Sequence, residues 1–373
     1  MTVATHQPSP DLRAIGARFH ILGTFVEAHP YGSGHINDTF AATYDQAGVP
    51  VRYIHQRLNA FVFRDPDALM ENVARVLAHA ARKVEGQPQA SRRTLTLVPA
   101  RDGRGWLHDD EGRVWRTYLF IEGARTYDVI GSVAQAEAAA RAFGAFQAQL
   151  ADLPAPRLHE TIARFHHTRS RFDTLVAAIE ADACNRAAGA RDDVTFALAR
   201  EADVDRLLDA QARGDIPERI THNDTKLNNV MLDLETGEGL CVIDLDTTMP
   251  GLVAYDFGDM VRTATNAAAE DEPDRSRVTS RPEMFDALAR GFLATAGATL
   301  TPAEIETLAF GGTLMTLENG IRFLTDYLQG DVYYRTHRPG QNLDRARVQF
   351  ALVESLERQF DVNQQTVRRY AEG

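Results

Sequence analysis

The stretch of this 373-residue chain that most restricts what it can become runs from Ile220 to Asp259. It reads I-T-H-N-D-T-K-L-N-N-V-M-L-D, then a glycine-containing turn, then L-C-V-I-D-L-D, and closes on Y-D-F-G-D. His222, Asp224, Lys226 and Asn229 fall at the spacing H-x-D-x-K-x-x-N, and Asp244 ends an apolar strand 244 − 224 = 20 residues after Asp224. An Asp, an Asn five residues on, then a strand ending in a second Asp is the layout of a phosphoryl-transfer loop. One carboxylate must reach an attacking hydroxyl, and two oxygen ligands must hold Mg2+ against nucleotide phosphates.

The residue types assign the roles. Asp224 is expected to orient or deprotonate the hydroxyl, and Asn229 and Asp244 to bind the metal. Lys226 is expected to steady charge on the transferred phosphoryl group. His222 is read as architectural. Asp246 is read as either a second metal or water-shell ligand or a turn cap. Asp256-Phe257-Gly258 spells the kinase D-F-G, but it arrives 256 − 224 = 32 residues after Asp224, too late for the metal ligand.

Upstream, Tyr31-Gly32-Ser33-Gly34-His35 lies between strand-like runs. Strand, glycine turn, strand is the kinase way of laying backbone N–H groups over phosphates, so Gly32, Ser33 and Gly34 are expected to cover the nucleotide. A third strand, Y-I-H-Q-R-L-N, lacks the lysine usual there: Gln56 stands at its place by alternation. Arg57 is the nearest cation and the expected phosphate partner; a solvated strand-end arginine is the other reading. Asp65 and Pro66 open a helix, which carries Glu71 either as partner to that cation or as a surface acid. Phe120-Ile121-Glu122-Gly123 runs from strand into linker, where backbone groups can meet an adenine edge, so the hinge is expected at 122–126, with Glu122 in it. Residues 1–121 then form a nucleotide-binding lobe, and 127–373 a mostly helical lobe.

Composition limits the partners. A net charge of −12 argues against nucleic acid, which wants a basic footprint. Two distant cysteines offer neither a disulfide framework nor a zinc site. No apolar run approaches the ~18 residues a membrane span needs, nor does the start read as a signal peptide, so a cytoplasmic enzyme is expected.

With these motifs the chain resembles the aminoglycoside-phosphotransferase and choline-kinase family. The resemblance implies an α+β, protein-kinase-like two-lobed fold using ATP and Mg2+. The longer match H-N-D-T-K-L-N-N-V-M-L-D with V-I-D-L-D-T-x-M-P-G-L-V-A-Y-D-F-G-D resembles the N-acetylhexosamine 1-kinase branch. By that resemblance Asp256 is the family's structural Asp, and His35, Arg322 and Tyr333 contact a sugar alongside Asp224. Glu318, Arg322 and Asp326 are expected on one face of a helix opened by the capping box Thr301-Pro302-Ala303-Glu304. The implied activity is phosphorylation of the sugar's anomeric hydroxyl. The alternatives are a kinase for another sugar, amino alcohol or aminoglycoside; a nucleotide-binding regulator without catalysis; and a metal-dependent hydrolase built from His222, Asp224 and Asp244.

Overall fold

A computed structural model describes residues 10–32, 34 and 36–372. Ser33 and His35, two of the expected contacts, lie outside the described residues. The chain divides into two compact units between Gly123 and Ala124.

The first unit contains helix α1 (Leu12–Ala17), strands β1 (Thr24–Pro30), β2 (Asp38–Gln46) and β3 (Val49–Arg57), helix α2 (Pro66–Val84), and strands β4 (Trp106–His108) and β5 (Val114–Leu119). The strands form one antiparallel sheet ordered β1-β2-β3-β5-β4. Ala47 and Gly48 join β2 to β3 with φ of 55° and 85°, the left-handed pair a two-residue hairpin needs. The first strand starts later than its apolar run from Phe19 predicts. Phe19 instead enters the core and bridges to Ala100.

Alternation gives the sheet two unlike faces. Tyr44, Tyr53 and Trp115 pack with Ile15 and Phe19 on one of them. His55 is buried there between Tyr44 Oη (3.2 Å) and Thr117 Oγ1 (2.8 Å), and burial lowers its pKa to about 4. The other face carries Gln56 and Arg116, and α2 lies on that side: Arg116 Nη1 is 3.8 Å from Met70 Sδ. Asp65 caps α2 and Pro66 opens it, as the sequence predicts.

The second unit begins with β6 (Ala124–Arg125) and α3 (Val133–Leu150), followed by α4 (Thr168–Ala181), α5 (Arg191–Leu198) and α6 (Arg206–Ala212). Strands β7 (Arg219–Thr221), β8 (Val230–Asp233), β9 (Gly239–Val242) and β10 (Met249–Gly251) come next. The chain ends in α7 (Val253–Thr265), α8 (Pro282–Ala296), α9 (Pro302–Gln329), α10 (Gln341–Arg358) and α11 (Phe360–Glu372). β6-β8-β9 form one small sheet and β7–β10 a ribbon. The capping box at Thr301 and Glu304 forms and starts the 28-residue α9, whose middle is buried.

Helices α7 and α9 cross through glycines. A Cβ on Gly258 would sit 2.3 Å from the Gly311 carbonyl oxygen, and one on Gly311 2.3 Å from that of Ala254. Gly258 of the D-F-G triplet is therefore a packing residue. No helix among the described residues is long and apolar enough to cross a membrane.

Candidate active site

The 222–229 loop leaves β7, and β10 flanks that strand with Met249 opposite Thr221. Asn223 takes φ of 64°, a left-handed turn that Asn tolerates. Asp256, at the start of α7, braces the turn. Its Oδ2 accepts from His222 N (2.9 Å) and Gln147 Nε2 (2.6 Å), and its Oδ1 accepts from Asn223 N (2.7 Å). Thr225 Oγ1 donates to the Asp256 carbonyl oxygen at 2.6 Å.

His222 is fully buried against Phe143 and Phe146. Its Nδ1 accepts from Asp224 N (3.2 Å), which leaves Nε2–H to donate to the Ile243 carbonyl oxygen at 2.9 Å. One ring nitrogen thus braces the loop from within, and the other ties it to the residue that follows β9.

Asp224 is held from two sides. Lys226 Nζ lies 2.7 Å from Oδ1, and Asn229 Nδ2 donates to Oδ2 (3.0 Å) and to the Asp224 carbonyl oxygen (2.7 Å). Burial works against the charge on Asp224, but the adjacent Lys226 ammonium outweighs it and holds the carboxyl down to about 2. Asp224 in turn raises the pKa of Lys226. The donors of Asn229 are turned to Asp224, so its side-chain oxygen stays as an acceptor.

Ile243 N donates to the Asn229 carbonyl oxygen at 2.9 Å, which brings the end of β9 beside the loop. Asp244 follows, exposed and left-handed with φ of 57°, whereas Asp246 is buried. Two carboxylates and an amide offer only oxygen donors, the set a hard cation such as Mg2+ takes. Among the described residues no group of three or more His, Cys, Asp or Glu side chains is placed to hold a metal ion. Mg2+ also takes waters and phosphate oxygens as ligands, so it does not need three protein side chains.

Two features of this neighbourhood escape spacing arguments. Asp259 Oδ1 pairs with Arg262 at 2.7 Å, while its Oδ2 is buried without a partner. The i, i+3 pair was readable on α7; its closeness to the loop was not. His166 bridges the Asn223 carbonyl oxygen (2.9 Å) to Glu318 Oε1 (2.8 Å), and Thr168 Oγ1 donates to Glu318 Oε2 at 2.7 Å.

Glu318, Arg322 and Asp326 lie on the one helix α9, as their spacing predicts, but each meets a different partner. Glu318 is fully buried on His166. Asp326 caps the following turn, accepting from the backbone N of Val332 (2.9 Å), Tyr333 (2.7 Å) and Tyr334 (2.9 Å). That turn carries both tyrosines back to Arg322, whose guanidinium lies 5.5 Å from the Phe165 ring centre and 5.7 Å from that of Tyr334. Arg171, Arg322, Tyr333 and Tyr334 line a cavity of about 140 Å³. Tyr333 is largely exposed, and the buried Tyr334 Oη has no partner. Nothing in the spacing marked Arg171, which comes from α4.

In the first unit, Gly32 has φ of 83°, and a Cβ at Gly32 or Gly34 would meet nothing within 4 Å. Arg57 points away from Gln56, onto the Trp115 face, and pairs with Asp38 at 2.5 Å. Glu122 is paired with Arg52, and its carbonyl oxygen accepts from Arg92 Nε at 3.0 Å.

A family model described as the phosphotransferase enzyme family, APH, matches residues 27–303. Among solved structures, an aminoglycoside phosphotransferase from Alicyclobacillus acidocaldarius is similar at a TM-score of 0.57 and 12% identity, covering 99% of each chain. Choline kinase from Cryptosporidium parvum is similar at 0.56 and 11%, covering 97% of this chain and 99% of its own. The GDP complex of aminoglycoside 2′-phosphotransferase-IIIa is similar at 0.51 and 12%, over 92% of this chain and 93% of its own. At such identities the likeness is one of fold.

Proposed function

The chain belongs to the phosphotransferase enzyme family, and from that premise we propose that it moves the γ-phosphoryl group of ATP onto the anomeric hydroxyl of an N-acetylhexosamine. The observation that carries the reading is the double hold on Asp224 by Lys226 and Asn229 within a loop pinned to Asp256. It supports a carboxylate fixed in advance for one hydroxyl.

With a pKa of about 2, Asp224 is a weak base at neutral pH. Its work is to accept the hydroxyl's hydrogen bond and align the oxygen, taking the proton only as the new O–P bond forms. Lys226 stands where charge on the transferred group needs a fixed cation. Asn229 and Asp244 would hold Mg2+, which neutralises phosphate charge when bound. Positioning and electrostatics suffice, with no covalent enzyme intermediate.

Acceptor chemistry is argued from the cavity on α4 and α9. Arg171 and Arg322 repel a cationic amine, and the carboxylate of Glu318 is already occupied by His166 and Thr168. That weighs against polycationic antibiotics and choline, and favours a neutral acceptor rich in hydroxyl and carbonyl oxygens. Arginine donors and tyrosine rings match a sugar carrying an amide.

A panel of sugars, amino alcohols and aminoglycosides, read by ³¹P NMR, tests the proposal. The expected product is the 1-phosphate of an N-acetylhexosamine, absent with Asp224→Ala. Phosphorylation of an amino alcohol or aminoglycoside instead would transfer the reading to the same-fold alternative.

A further inference from the structure

The third strand lacks a lysine, and the sequence offers Arg57 in its stead. Strand geometry separates the two neighbours: Gln56 faces α2 and Arg57 faces Trp115, where Asp38 holds it. The cation on the Gln56 face comes from another strand. Arg116 on β5 is opposite Gln56 in register and 1% exposed. Its Nε donates to Gln56 Oε1 at 2.9 Å, and Gln56 Nε2 donates to Thr39 Oγ1 on β2, also at 2.9 Å.

Thr39, Gln56 and Arg116 thus form a transverse row across β2, β3 and β5. The row fixes which end of the Gln56 amide is which. Arg116 has no acceptor atoms, so the amide oxygen must turn to it and the NH2 group away. A guanidinium on the oxygen also polarises the amide and strengthens its N–H donors. Among the described residues the second Nε2 hydrogen has no acceptor, and Gln56 is only half-buried.

We propose that Gln56 is the phosphate contact of this lobe, through its second Nε2 hydrogen, and that Arg116 is a positioning residue acting through it. The inference rests on the reading of the chain as an ATP-using phosphotransferase. A buried guanidinium cannot itself reach a solvated phosphate, and a neutral amide alone is a poor substitute for an ammonium. Joined by one hydrogen bond, they bring a donor to the anion with a guanidinium behind it.

Binding of Mg·ATP, measured by titration without acceptor, and separate KM values for ATP and acceptor test this. Gln56→Glu keeps a partner for Arg116 but replaces the donor with a like charge. It is expected to fold as wild type and raise the ATP KM about tenfold or more, with the acceptor KM changed less than about twofold. Arg116→Met should raise the ATP KM by a similar factor, and adding Gln56→Lys, which puts a cation on the strand itself, should restore it to within about threefold.

A purely structural role would shift the melting temperature of Arg116→Met without splitting the two KM values, and Gln56→Lys would then rescue nothing. Wild-type protein that binds Mg·ATP alongside a Gln56→Glu variant binding equally well overturns the assignment and leaves the phosphotransferase reading standing. Wild-type protein that binds no Mg·ATP overturns both.

Discussion

Asn229 spends its side-chain donors on Asp224, one on the carbonyl oxygen at 2.7 Å and one on the carboxylate at 3.0 Å. A residue expected only as a metal ligand therefore also aims the carboxylate five positions before it. Asn229→Ala removes both functions. We expect kcat to fall roughly 10²–10³-fold, the scale of losing one preorganised polar group, with a higher Mg2+ concentration needed for half-maximal rate. Steady-state rates across a Mg2+ series check it; an unchanged Mg2+ dependence would remove Asn229 from the metal site.

Lys226 sets the charge of Asp224, because burial alone would raise that carboxyl. Lys226→Met takes away the opposing charge, so the Asp224 pKa moves up from about 2. The acidic limb of the kcat/KM profile should shift to higher pH, together with a loss in kcat of about 10²-fold. A pH–rate profile of both proteins decides; a limb that stays in place contradicts the pairing.

His55 supplies a stability prediction whose sign can be worked out. Its pKa falls from 6.5 to about 4 on folding, so between those values the unfolded chain binds the extra proton. Stability is therefore fully present above pH 6.5 and declines as pH falls toward 4, by roughly 3 kcal/mol from this one group. Urea unfolding of wild type and His55→Gln at pH 7.5 and 4.5 should show a smaller pH loss in the variant.

Gly258→Ala puts a methyl group 2.3 Å from the Gly311 carbonyl oxygen, backbone that cannot swing aside. Helices α7 and α9 must separate, at a cost of about 1–3 kcal/mol or more. Since α7 also carries Asp256, activity should fall along with the denaturation midpoint. A variant as stable as wild type would show that the crossing is loose.

Tyr334→Phe deletes a buried hydroxyl that has no partner in the ligand-free chain. Stability should hold or rise slightly, because an unsatisfied group is removed, while the acceptor KM rises about fivefold to tenfold if the hydroxyl meets the substrate. Arg171→Met should raise the acceptor KM similarly, with the ATP KM unchanged. Thermal melts with two-substrate kinetics separate these effects.

The geometry of the loop was legible in the chain itself because its partners are neighbours in sequence. Asp224, Lys226 and Asn229 meet within six residues, so their spacing carries most of the geometry. Capping boxes and hairpin turns are local for the same reason. The tertiary structure decided whatever depends on register between distant elements. Gln56 and Arg57 are adjacent in the chain but face opposite sides of a strand, and the cation beside Gln56 arrives from 60 residues away. Glu318 and Asp326 share a helix with Arg322, yet one is claimed by His166 and the other by the backbone of a turn. Periodicity says which residues share a face; only packing says what that face meets.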